Sequence, residues 1–451
     1  MSTTKTTRKC RNLMEEFILD NSQLLEINRR FLNELNRGLC KRTHDQADVK
    51  CFVTYVQDLP TGEEIGRYMA LDLGGTNFRV LLVTLKAHHE ADIKSKTYAI
   101  SQEIMTGPGV QLFDHIAECL ATFMKEQDLL EDHLHLGFTF SFPCKQVGLT
   151  KGYLIRWTKG FNCPGVENED VVELLKDAIK RRGDISISVV AILNDTTGTL
   201  MSCAHRNKNC HIGVIIGTGC NACYLERVEN VELYDGQPGK PYVIVNAEMG
   251  AFGESGSLDF IRTDEDKSID RASMNPGKQI YEKMISGMYM GEIVRLVLLK
   301  AIDKKLLFPN CGKQQLQRLA MSDSFETRFV SEIEEDKEGD WTNCKRILTD
   351  LGLSKQPTND ECAEVRYICE CVSRRAAHLV ACSQATMINK INEGHSTVGV
   401  DGTVYRLHPK FNEYMEEKMK ELVNPNISFD LMLSEDGSGR GAALVAATVT
   451  G

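Results

Sequence analysis

Residues 71–83 read L-D-L-G-G-T-N-F-R-V-L-L-V, and residues 213–226 read G-V-I-I-G-T-G-C-N-A-C-Y-L-E. Each segment is an apolar run, a turn with Gly-Thr and an Asn, and a second apolar run, a pattern that predicts a tight β-hairpin. Glycines in such a turn let backbone N–H groups approach an anion, and the Thr hydroxyl adds a donor. One hairpin of this kind is usually only a turn. Two copies, each with Thr and Asn, favour a pair of phosphate-holding loops. Neither copy fits G-x-x-x-x-G-K-[ST] or a dinucleotide fingerprint, so the strand-to-helix phosphate loop is excluded.

Around the first hairpin the chain predicts strands at 68–73, 78–85, 134–142 and 185–193, with a helix at 168–182 before the last of them. Around the second it predicts strands at 211–226 and 243–246, a mostly helical tract from 255 to 395, and a last strand at 397–400 that turns at Asp401 and Gly402. The mixture is α/β. Residues 12–39 place Leu13, Phe17, Leu24, Ile27, Phe31 and Leu35 at helical spacing, with a break and new cap expected at Asp20, Asn21 and Ser22. The 451 residues suffice for two or three globular units. No Pro, Ser or Gly-rich tether separates them, so any domains meet through short hinges.

The formal charge of -10 and the shortness of the basic runs exclude a nucleic acid partner. No stretch approaches the ~18 to 20 apolar residues of a membrane helix. The start, Met1 to Arg11, is polar, with Lys5, Arg8 and Lys9 but no apolar run for export, which predicts a cytoplasmic protein. There the sixteen cysteines stay reduced and serve mainly as small core residues. Cys220 and Cys223 form a C-x-x-C, but no second pair accompanies it and both lie within a hairpin, so metal and redox roles are rejected.

Past the strand at 185–193 the sequence reads N-D-T-T-G-T, which puts Asn194 and Asp195 beyond a strand's carboxyl end, where open α/β sheets keep their chemistry. Asp195 can cap a helix from Thr196 or Thr197, or act as a base. Phosphorylation of an alcohol needs a carboxylate to take the hydroxyl proton, and donors to spread the transferring charge. Other segments supply Ser141, Thr158, Lys159, Asn221, Glu248 and Glu282. Hydroxyls, amides and carboxylates together suit a sugar, whose hydroxyls both donate and accept.

The strings L-D-L-G-G-T-N-F-R, L-G-F-T-F-S-F-P, L-I-R-W-T-K-G-F, L-N-D-T-T-G-T, I-I-G-T-G-C-N-A-C-Y, Y-E-K-M-I-S-G-M-Y-M-G-E, V-G-V-D-G-T-V-Y-R-L-H-P and S-E-D-G-S-G-R-G-A-A-L resemble, in order and spacing, those of the animal hexokinases and glucokinase. The resemblance spans nearly the whole chain. It implies an actin-like, ribonuclease-H-like sugar kinase fold with a cleft between small and large domains. The small domain would be 62–193 completed by 438–451, the large one 194–437, with 1–61 a helical lead-in. It implies transfer of the γ-phosphoryl group of MgATP to the 6-hydroxyl of glucose and related hexoses, the first step of glycolysis.

Residue by residue, the sugar site falls on Ser141, Thr158, Lys159, Asn194, Asp195, Asn221, Glu248 and Glu282, with Asp195 as base and Lys159 as the cation at the reacting phosphoryl group. The nucleotide site falls on Asp72, Gly74, Gly75, Thr76 and Asn77, with Asp72 ordering Mg2+ through water. Thr218 sits at the γ-phosphate, and Gly287, Met288, Thr327, Ser331, Gly402 and Thr403 surround the rest of ATP. Inhibition by glucose 6-phosphate is also implied, at Asp72, Gly75, Thr76, Thr218, Asp401, Thr403 and Ser438, whose N–H and hydroxyl groups would hold a dianion without Lys or Arg. Met249 stands where many relatives carry Trp, which puts the packing behind Glu248 in question; Thr403 stands where many carry Ser. The Cys-rich zinc motif of the bacterial-type sugar kinases is absent.

Two rivals predict different sequences. A non-catalytic sugar-binding homologue would lack the base or a phosphate hairpin, and an actin-like ATPase would have no use for T-K-G, N-D and both glutamates. One catalytic unit, a monomer free in the cytosol with no mitochondrial anchor, is the expectation.

Overall fold

The computed structural model describes residues 9–237, 239–435 and 437–451; Lys5 and Arg8 of the polar start lie outside them. The first hairpin forms from the antiparallel strands Gly66–Leu73 and Asn77–Lys86. Glu90–Ala99 extends it on one side, antiparallel, and His133–Phe140 then Ser186–Leu193 extend it on the other, parallel. The five strands therefore lie in the order third, second, first, fourth, fifth. The second hairpin, Cys210–Ile216 and Cys220–Arg227, seeds another sheet by the same rule. Tyr242–Asn246 flanks it antiparallel, and His395–Asp401 and Ser428–Leu433 continue it in parallel, with Phe52–Val53 added at the edge. Apart from that edge strand the order is again third, second, first, fourth, fifth. The repeated hairpin is the visible part of a repeated ribonuclease-H-like sheet.

Strand pleating sends alternate side chains to opposite faces, and this builds the layers. Met69, Leu71 and Leu73 pack with Phe113, Ile116, Val172 and Leu175, from helices Gly109–Glu126 and Val171–Arg182. Ala70, Leu81 and Val83 face the other way, into a core that also takes Cys223 and Ile244 from the second sheet. Between the sheets in that core lie helices Asp195–Ala204 and Gly437–Thr450, through Leu200, Cys203, Ala442 and Leu444. A third core covers the far face of the second sheet with helices Asn21–Leu39, Gly287–Asp303 and Asn359–Ile391. The break expected near residue 20 is real: a 3-10 turn Asn12–Phe17 ends, and Asp20 starts a new helix by exchanging side-chain to backbone bonds with Gln23 at 2.9 and 3.0 Å.

The two helices between the sheets cross backbone to backbone. A Cβ on Gly441 would stand 1.9 Å from the carbonyl oxygen of Gly198, and one on Gly198 would stand 2.6 Å from the carbonyl oxygen of Ser438. Within a helix Ala is preferred to Gly by about 1 kcal/mol, so a Gly441→Ala variant gains locally. Here the clash is with backbone and outweighs the gain: denaturant unfolding should show the variant destabilised by a net ~1 to 3 kcal/mol, and a stability equal to the parent's would show that the helices can separate freely.

Candidate active site between the sheets

Strand Ser186–Leu193 leads directly into helix Asp195–Ala204. The cap is Asn194, whose Oδ1 accepts the Thr196 N–H and the Thr196 hydroxyl, both at 3.0 Å. Asp195 is thus spared capping and sits in the first turn with its carboxyl in the cleft. Burial raises its pKa above the usual carboxylate range, and the charge of Asp72 adds to this, while Lys159 and a hydrogen bond from Ser141 pull it back. A carboxylate that holds a proton more tightly than usual, beside a cation, is equipped to accept one.

Lys159 comes from a turn built on aromatic packing. Trp157 stacks on Phe161 at 5.2 Å, Phe142 packs edge-on against both, and the Phe161 N–H closes the turn on the Thr158 carbonyl at 3.1 Å. Lys159 holds φ at +56°, a conformation that costs a non-glycine residue free energy and that the turn maintains. Its ammonium donates to the Ser141 carbonyl at 2.7 Å and acts electrostatically on Asp195, Glu248 and Glu282.

The second sheet supplies the opposite wall. Asn221 shares the face of Cys223 that looks between the sheets, and its amide donates to Glu248 at 3.1 Å, to Asn246 at 2.8 Å and to Asn194 at 3.5 Å. Asn246 donates to Glu248 at 2.8 Å. Glu248, at φ +55°, is a second strained residue. Glu282 accepts the Cys220 N–H at 2.9 Å. Burial raises the pKa of Glu248, opposed by its bonds from Asn246 and Asn221, and burial raises that of Glu282 to about 6, the Cys220 N–H opposing and Glu248 adding. The residues assigned to the sugar therefore converge, with Thr158 entering through the Lys159 turn. Sequence reading missed Asn246; its only signal was an amide closing an apolar strand.

The residues assigned to nucleotide gather in two groups. Around the second hairpin, Gly287 N–H donates to the Gly217 carbonyl at 2.8 Å and Met288 N–H to that of Thr218 at 3.2 Å. Thr327 hydroxyl bonds the Gly287 carbonyl at 2.5 Å. Gly402, at φ +110°, lies so near the hairpin that a Cβ would stand 2.3 Å from the Ile216 carbonyl oxygen, with Thr403 following it. Ser331 joins only by lying one turn along from Thr327 on helix Thr327–Glu335. Around the first hairpin, Asp72 accepts from Ser438 and from Arg79, both at 2.9 Å, and Gly437 brings Asp401 alongside. The Asn77 side chain donates to the Thr76 hydroxyl at 3.4 Å, and Gly74 lies against Ser141. Gly75 is informative: its φ is outside the left-handed region and a Cβ there would meet nothing within 4 Å, so neither conformation nor packing demands glycine. The room it leaves suits a group from outside the chain.

Cations lie beside both groups: Arg79 pairs with Asp72 and Arg406 with Asp401, each at 2.9 Å. Strand alternation places Arg79 opposite Asp72 in the ladder, a signal the sequence carried. Cys220 and Cys223, three apart on a strand, pack in different cores, and all sixteen cysteines are free thiols. Met249 is fully buried behind Glu248, against Gln384, whose side-chain nitrogen lies 3.9 Å from the Met249 sulfur.

A family model described as hexokinase matches residues 211–448, and a second so described matches 9–205. The rat protein Hexokinase-2 is 48% identical over 437 residues, covering 95% of this chain and 47% of that protein. Human Hexokinase-1 is 46% identical over 448 residues, covering 98% and 48%. The chain spans about half the length of these relatives. Among solved structures, a hexokinase from Schistosoma mansoni complexed with glucose superposes with a TM-score of 0.89 at 44% identity, covering 98% of both chains. Another hexokinase crystal structure gives 0.85 at 30% identity, also over 98% of both.

Proposed function

The chain belongs to the hexokinase family, and on that footing we propose that it transfers the γ-phosphoryl group of ATP to the 6-hydroxyl of glucose or a close relative. The observation that carries this reading is the placement of Asp195, whose buried carboxyl takes a hydrogen bond from Ser141 and feels the charges of Lys159 and Asp72. In the proposed reaction the sugar oxygen forms its bond to the γ-phosphorus as the bond to the ADP oxygen breaks, and the hydroxyl proton passes to Asp195. Lys159 offsets the charge of the transferring group. Glu248, Glu282, Asn221 and Asn194 accept from and donate to the other hydroxyls, which fixes the 6-hydroxyl in line. Steady-state formation of hexose 6-phosphate over a panel of hexoses tests the reading and ranks the substrates.

Among the described residues no cluster of three or more His, Cys, Asp and Glu could hold a metal by itself. Mg2+ would arrive with the nucleotide, held by its phosphates and water with Asp72 from the chain, and would supply charge neutralisation at the phosphates. The lobes we assign are 62–193 with 438–451, and 194–437; closure of one on the other would exclude water from the acceptor position. Among the described residues no helix is long and apolar enough to cross a membrane. We place the enzyme in the cytoplasm as a monomer.

A pH dependence follows from Glu282. Sugar hydroxyls donate to its carboxylate, so binding needs the deprotonated form. Because the folded, sugar-free pKa is raised to about 6, affinity is full above that pH and is lost as pH falls through it. Calorimetry should find the dissociation constant for glucose flat above pH ~7, about tenfold higher by pH ~5, and rising about tenfold per unit below that. A flat profile down to pH ~5 contradicts the placement of Glu282 on the sugar.

Glucose 6-phosphate is proposed as an inhibitor through Asp72, Gly75, Thr76, Thr218, Asp401, Thr403 and Ser438, since its phosphate would use the loops that ATP needs. Inhibition should be competitive with MgATP and weaken in Thr218→Ala. An inhibition constant no lower than that of an unrelated sugar phosphate refutes it.

A further inference from the structure

The nucleotide group is a chain of contacts running from Thr327 to Gly287, from Gly287 to Gly217, and from Gly217 to Gly402. Its two ends continue outward. Helix Thr327–Glu335 runs from Thr327 to Glu334, and helix Thr403–Leu407 runs from Thr403 to His408. There they meet: His408 Nε2 lies 3.3 Å from Glu334 Oε1, with His408 5% and Glu334 3% exposed. The Lys410 N–H donates to His408 Nδ1 at 3.2 Å, which requires a lone pair on that nitrogen and leaves the ring proton on Nε2, aimed at Glu334. Glu334 also accepts from the Ser373 hydroxyl at 2.6 Å and from Tyr414 at 3.5 Å, so its carboxylate is held from three sides. The bond closes the chain of contacts into a ring, and among the described residues none of its members hydrogen-bonds a residue assigned to the sugar.

We propose that the Glu334–His408 hydrogen bond positions the two walls of the nucleotide half of the cleft, holding Thr327 and Ser331 against Gly402 and Thr403 and so setting affinity for MgATP without reaching the sugar. Helices of nine and five residues have little stability of their own, and a buried charge-assisted bond at the far end is what fixes their near ends. His408 and Glu334 are positioning residues. The inference rests on the proposed reading of the near ends as nucleotide contacts.

The test compares KM values. His408→Leu removes the donor, whereas His408→Gln can return an N–H to the position of Nε2. His408→Leu should raise KM for MgATP about 3- to 30-fold with KM for glucose and kcat near the parent's, and His408→Gln should restore most of the loss. Ser373→Ala, a smaller change at the same carboxylate, should move KM for MgATP in the same direction and serves if His408→Leu does not fold. An unchanged KM for MgATP, an equal rise in both KM values, or a Gln variant no better than Leu overturns the proposal. A parent that forms no sugar phosphate sinks the functional reading instead; calorimetric MgATP binding by the same proteins then decides the positioning, and a parent that binds no MgATP overturns both.

Discussion

Asp195→Ala is expected to lower kcat by about 100- to 10,000-fold while glucose still binds measurably. The size follows from the geometry. The proton of the attacking hydroxyl needs an acceptor within hydrogen-bond reach, and Asp195 combines a raised pKa with the nearby charge of Lys159. Glu248 and Glu282 do not replace it, because Asn246 and Asn221 bond the first and the Cys220 N–H the second. Binding persists because they and the amides remain. Asp195→Asn, which keeps the shape but takes no proton, should be similarly slow. Near-normal turnover in either variant would remove Asp195 from the role of base.

The largest stability effect is expected at Asp266→Asn. Asp266 is 3% exposed and Arg375 1%, and two 2.7 Å bonds join them. Asp266 also accepts the Thr263 N–H at 2.8 Å as part of the cap of helix Asp264–Ala272, while Arg375 lies over the Phe17 ring at 4.5 Å. One carboxylate thus ties the 33-residue helix Asn359–Ile391 to that cap and to the start of the chain. An amide accepts through only one end and turns its N–H2 toward the guanidinium, which leaves a buried charge half paired. Denaturant unfolding should show a loss of about 3 to 5 kcal/mol, whereas breaking the exposed Lys86–Asp92 pair should cost under ~1 kcal/mol. Equal small losses at both sites would mean that Arg375 finds water or another partner.

What could be read from the sequence depended on how local its cause was. The two hairpins were legible because Gly-Thr turns and alternating apolar runs are written within a dozen residues, and Asp195 because it follows a strand end. Helix Gly437–Thr450 was not legible. Its Gly437, Gly439 and Gly441 argue against a helix on propensity, and it is buried on all sides through residue 447, so it shows no amphipathic period. Its glycines are explained by what lies opposite them: Gly198 faces Gly441, the Leu81 side chain faces Gly439, and Gly437 holds φ at +61° beside Asp401. Strand Glu90–Ala99 escaped for the opposite reason: it is an edge strand that alternates exposed with half-buried residues and carries few apolar ones. In the site, Asn246 and the Glu334–His408 bond were invisible because each depends on segments distant in the chain being folded together.

The central claim, that this cleft directs a phosphoryl group to a sugar and away from water, is tested most directly by the fate of label. ATP labelled in the γ-phosphoryl group is mixed with the purified chain, Mg2+ and glucose, and the label is divided between hexose 6-phosphate and inorganic phosphate. The account predicts label almost wholly in the sugar phosphate, and only slow release of inorganic phosphate when glucose is left out. Label released as inorganic phosphate at the same rate with or without glucose would make the chain an ATPase, and label left on ATP would make it a binding protein; either result contradicts the account.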